Sequence, residues 1–111
     1  MDELIQALTA TGYSFAQYAW SQAPEGDYGT YGLYSERSLW ADGRAKELGL
    51  IGVVDYYTRD SSQTPRLVIE AAFGAADVSW SLDSVQFESD SGLLHYVWTI
   101  EAPEQEAEDD G

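Results

Sequence analysis

Cysteine is absent from this chain, so neither a disulfide staple nor a thiolate metal site is available and the fold rests on packing alone. Positive charge is scarce. Five Lys and Arg stand against 20 acids, for a net charge of −15. A surface so acidic repels phosphate backbones and anionic membranes, which argues against sequence-specific nucleic-acid binding while letting DNA pass close by without sticking. No apolar run approaches the roughly 20 residues of a membrane-spanning helix. Asp2 and Glu3 stand where a signal peptide would carry positive charge, so a soluble chain with no secretion signal is expected. Histidine occurs once, at position 95.

What is present suits one domain. The chain has 111 residues, 44% of them hydrophobic and 14% aromatic, enough to bury a core and too apolar for disorder throughout. A short helix is expected over Asp2 to Thr11, with acids at its positive end, a Leu4-Ile5-Leu8 stripe and Gly12 as its stop. Phe15 to Trp20 reads as a strand. Ala23 to Asp27 reads as a turn, and Tyr28 to Tyr34 as a second strand relieved by Gly29 and Gly32. Ser38 to Ala41 either continues it or forms another, with Asp42-Gly43 as a bend before a long strand at Leu50 to Thr58.

Thr64 is suited to cap a second helix and Pro65 to open it. That helix is apolar over most of its girth through Leu67, Val68, Ile69, Ala71, Ala72, Phe73 and Ala76. Two final strands, Val78 to Phe87 and Leu93 to Ile100, flank the hairpin signal Ser89-Asp90-Ser91-Gly92. The apolar alternation slips between Leu82 and Val85, which predicts a bulge at Asp83-Ser84. Together these give an α+β fold over residues 1–101, a mainly antiparallel sheet with two helices on one face. Residues 102–111 are polar and acidic without an apolar anchor, and read as a disordered tail. The tail accounts for much of the charge: with Glu101 it holds six acids, so residues 1–100 keep 14 acids against five bases.

The decisive feature is that the strands are apolar or aromatic on both faces. Two helices cover one face only, so a neighbouring subunit is expected on the other. Chemistry finds no foothold. A general base needs a partner and a pocket, and a lone histidine alternating in a hairpin strand suggests neither. No strand-turn-helix serine elbow is present. The acid pairs Asp55 with Asp60 and Glu88 with Asp90 are what 20 acids produce without purpose, and the 83–90 segment lacks calcium-loop spacing. No catalytic, cofactor-binding or metal-binding residues are assigned, and no cofactor is expected. Tyr28 to Gly32 lacks the ending of a phosphate loop. Tyr31, Tyr34 and Trp40 are instead candidates for an adaptable aromatic contact surface. Arg59 pairs either with an acid of its own chain or across subunits, and is the fourth interface candidate.

The order helix, strands, long central strand, helix and hairpin resembles small proteins at the head–tail junction of long-tailed bacteriophages. The segments carrying the likeness are Phe15 to Trp20, Tyr28 to Gly32, Leu39 to Gly43, Gly52 to Asp60 and Trp80 to Glu101. The closest likeness lies in Val53-Val54-Asp55-Tyr56-Tyr57-Thr58-Arg59-Asp60 and Leu94-His95-Tyr96-Val97-Trp98. The family is that of tail-completion or tail-terminator proteins, and the acidic tail is no part of its pattern. The resemblance implies a non-enzymatic virion protein, assembled in the bacterial cytoplasm, that self-associates into a ring, usually of six copies. Such a ring caps the tail tube and meets head connector proteins, with DNA passing through unbound and no membrane involved. Two other readings remain: an acidic DNA-mimic inhibitor of a nucleic-acid enzyme, and a small hydrolase built on carboxylate pairs.

Overall fold

The computed structural model describes the backbone of residues 2–20, 22, 24–41 and 44–103, and the side chains of these residues other than 2, 33–50, 102 and 103. The order is α1 (Asp2–Ala10), β1 (Phe15–Gln17), β2 (Tyr28–Ala41), β3 (Arg44–Thr58), α2 (Thr64–Ala75), β4 (Ser79–Glu88) and β5 (Leu93–Pro103). The five strands form one sheet in the order β1-β2-β3-β5-β4, antiparallel except for β1 beside β2. This is the expected α+β architecture.

Both helices lie on the same side of the sheet. Leu4 and Leu8 of α1 and Ile69, Ala72 and Phe73 of α2 meet Val54 and Tyr56 of β3 and Tyr96, Trp98 and Ile100 of β5. Every second residue of the two central strands enters this core, as the period of a strand requires. Trp98 is at its centre, 0% exposed. Its ring meets Phe73 edge-on at 5.6 Å and stacks on Tyr96, and its indole N–H donates to Glu70 Oε2 at 3.0 Å. Glu70 also receives Arg66 Nε at 2.9 Å, so this nearly buried carboxylate has a charged and a neutral donor, as burial demands.

Local chemistry explains where elements stop. Gly12, at φ +82°, ends α1 as expected. Strand β1 is shorter than the expected Phe15 to Trp20, because Tyr18 takes φ +66° and turns the chain after its N–H bonds the Tyr31 carbonyl. Helix α2 begins at Thr64 with Pro65 in its first turn, but Thr64 is not the cap. Gln63 holds that position with no side-chain hydrogen bond. At the other end Asp77 adopts φ +59° and the Val78 N–H reaches back to the Phe73 carbonyl at 3.0 Å. This closes a Schellman turn with buried Val78 and Phe73 beside it.

Tyr28 to Ala41 is one continuous strand with a register shift between Leu33 and Ser35. The expected bulge near Asp83 is present between Leu82 and Ser84, while Asp42-Gly43 and residues 104–111 lie outside the described residues. Strand β5 runs to Pro103, which pairs with Gly49, two residues into the expected tail. Past Gly49, among the described residues, only β2 and β3 remain paired, ending at Ala41 with Arg44. This two-stranded arm projects roughly 17 Å past the sheet and contributes to a longest dimension of 50 Å.

Candidate assembly surface

Residues of β2, β3 and β5 that alternate with the core set point away from the helices. Tyr28 and Thr30 lie opposite Tyr57 and Asp55, and Val53, Asp55 and Tyr57 lie opposite Thr99, Val97 and His95. All of these are half-buried, screened by one another and by no second layer among the described residues. On β4 the same side is polar: Ser79, Ser81, Ser84, Gln86 and Glu88. The open face is therefore mixed, apolar and aromatic through β2, β3 and β5 and polar along β4. It is less uniformly greasy than the sequence pattern suggests, because the apolar residues Trp80, Val85 and Phe87 of β4 point to the helix side. There α2 does not reach them all, and Phe87 is 65% exposed.

A stacked ladder crosses the open face. Tyr28 lies on Tyr57 with centroids 4.7 Å apart, and Tyr57 on the His95 ring at 4.1 Å. His95 Nε2 is 2.7 Å from Asp55 Oδ2, and its Nδ1 is 3.1 Å from Glu88 Oε2. Both contacts are hydrogen bonds when the ring is doubly protonated, since only then does each nitrogen donate. The expectation that His95 lacks a partner is thus corrected. Asp55 lies 40 residues away in sequence on a neighbouring strand, whereas the hairpin register places Glu88 diagonal to His95. The hairpin turn alone carried a signal for the second partner. Burial, then the carboxylates of Asp55 and Glu88 with Tyr28 between them, pushes the Tyr57 phenol up to about 12. Next to the ladder Asp83 accepts from the hydroxyls of Thr99 and Ser81.

The sheet also has two unmatched edges, on opposite sides. Among the described residues, strand β4 pairs only with β5, and β1 covers β2 only from Gly29 to Tyr31. Such edges invite pairing with another chain.

The four expected contact residues are dispersed. Tyr31 lies on the helix side, half-buried against the core, in a cleft of about 300 Å³ between α1 and β1–β2. Tyr34 sits at the β2 register shift and Trp40 pairs with Ala45 on the arm, with both side chains outside the described residues. Arg59 is exposed at the end of β3, its backbone N–H held by Asp27. The same Asp27 takes the hydroxyl of fully buried Thr58 at 2.6 Å and so clamps the 18–27 loop to the sheet. No group of three or more metal-ligating side chains occurs among the described residues.

No protein-family model matches the chain, and no curated protein matches it. Among solved structures, a chain of the virion of a native gene transfer agent particle superposes with a TM-score of 0.46 at 13% identity, covering 90% of each chain. A superposition that loose assigns neither ancestry nor role.

Proposed function

We propose that this chain is a phage virion protein of the head–tail junction, forming a ring that terminates the tail tube and joins it to the head. One observation carries the reading: both helices pack on one face, leaving the Tyr28-Tyr57-His95 ladder, Val53 and Val97 on a face that no second layer among the described residues covers. The unmatched edges lie on opposite sides of the sheet, so joining them is heterologous, and a heterologous contact either closes into a ring or runs on as a filament. In a ring the acidic surface keeps DNA mobile in the opening through phosphate repulsion. The work is done by occupying the terminal position of the tube and presenting a different surface outward, with no bond made or broken. A DNA mimic has less support, because Asp55, Glu88 and Asp83 are engaged with His95, Thr99 and Ser81 rather than arrayed free as phosphates are. Electron micrographs of the purified protein, alone and mixed with tail tubes, test the proposal. Annuli, free or seated at tube ends, are expected. A strictly monomeric particle that ignores tubes overturns it.

A further inference from the structure

The cleft between α1 and β1–β2 lies on the helix side, away from the open face proposed for assembly. Its volume of about 300 Å³ stands at the lower limit of small-molecule sites and suits a single side chain. Four aromatic rings line it, Tyr13, Phe15, Trp20 and Tyr31, beside Ile5 and Leu8 of α1. No charged side chain is among its lining residues. Three of the rings are fixed before any ligand arrives. Tyr13 stacks on Tyr56 at 5.2 Å and Phe15 tilts against the same ring at 5.6 Å. The Trp20 indole N–H donates to the Gly29 carbonyl at 2.9 Å. Rings held in this way lose little freedom on binding.

Charge selects what such a cleft takes. Residues 1–36, which include every lining residue, hold Asp2, Glu3, Glu25, Asp27 and Glu36 and no Lys, Arg or His. Asp27 is engaged by the Thr58 hydroxyl and the Arg59 backbone N–H, and Asp60 by the Ser62 backbone N–H. These donors are neutral and leave the negative charge uncancelled. Its field reaches the cleft: burial first, then Asp60 and Asp27, holds the Tyr13 phenol above its usual range. A negative field over aromatic faces repels anions and attracts a cation. Among cations a guanidinium fits best, since it is planar, stacks on rings and is more weakly hydrated than an ammonium. We propose that the cleft receives an arginine side chain of a partner protein, stacked among Tyr13, Trp20 and Tyr31. With five bases against 20 acids, another copy of this chain is a poor source of that cation, so the partner is a different and more basic protein. This contact is independent of the ring.

Nuclear magnetic resonance titration of the full chain tests it, with N-acetyl-arginine amide as probe and N-acetyl-citrulline amide as the uncharged isostere. The arginine probe is expected to shift the Trp20 indole and the Tyr13 and Tyr31 ring resonances. It is expected to bind at least about fivefold more tightly than the citrulline probe. Trp20→Leu and Tyr31→Leu keep apolar bulk but remove an aromatic face, and each is expected to weaken binding about fivefold. Equal binding of the two probes, or shifts confined to other parts of the chain, overturns the inference, and that comparison needs no variant to fold. Folded leucine variants that bind the arginine probe as wild type does also overturn it. Shifts of the same resonances that grow with protein concentration alone place a second copy in the cleft and overturn the assignment to a different protein. None of these results bears on the annuli that test the ring reading.

Discussion

The two faces of this sheet are made by the same strands, residue by residue in alternation, yet they obey different physics. On the helix side Val54, Tyr56, Tyr96, Trp98 and Ile100 are sealed by α1 and α2, each 3% exposed or less. On the other side Val53, Tyr57, His95, Val97 and Thr99 are only half-buried, and the polar atoms of His95 and Thr99 are tied to acids of that same face, Asp55, Glu88 and Asp83. The first face holds the chain together. The second is stacked and charged with no described layer over it, the composition that the proposed contact between copies calls for.

Substitutions at matched positions separate the two roles. Trp98→Ala should cost about 3 to 5 kcal/mol in chemical denaturation, since it empties the centre of the helix-side core and leaves Glu70 without its indole donor. A small cost would show that the helix side is not where stability resides. Gly29→Ala should cost about 1 to 3 kcal/mol, because an added Cβ would clash with the Phe15 ring and stand 2.8 Å from the Asp55 carbonyl. Alkaline pH probes both faces together. Tyr56 on the covered side and Tyr57 on the open side both have phenols raised above 10.0, chiefly by burial. The unfolded chain therefore releases these protons first, and stability should fall as pH rises from about 10 toward 12. Absorbance titration of tyrosine alongside denaturation checks it; a flat stability profile would contradict the burial of both rings. Val97→Ala should cost the monomer about 1 kcal/mol or less while weakening self-association, a split that no core position would show.

Much of the fold was legible from periodicity and turn chemistry. The α1 stripe, the Pro65 start of α2, the 89–92 hairpin and the bulge at Asp83 all have local causes, and local causes are written in adjacent residues. The misread elements have distant ones. Strand β1 stops at Gln17 because Tyr18 bonds the Tyr31 carbonyl, and β5 extends to Pro103 because Gly49 is there to pair with it. The two-sided apolar pattern matches a sheet whose second face has no layer over it among the described residues. It overstated how greasy that face is, since the bulge at Asp83 keeps Val85 and Phe87 on the helix side. His95 was the largest omission. Its Asp55 partner is brought near by the β3–β5 register, which no spacing along the chain announces.

The central claim is that the open face is completed by another copy of this chain. Covalent footprinting of tyrosines across a concentration series measures it most directly, with the denaturant-free monomer at low concentration as reference. The account predicts that Tyr28 and Tyr57 become protected as the protein associates while Tyr18, exposed on the 18–27 loop, keeps its reactivity. Unchanged reactivity of Tyr28 and Tyr57 in the associated state would contradict it.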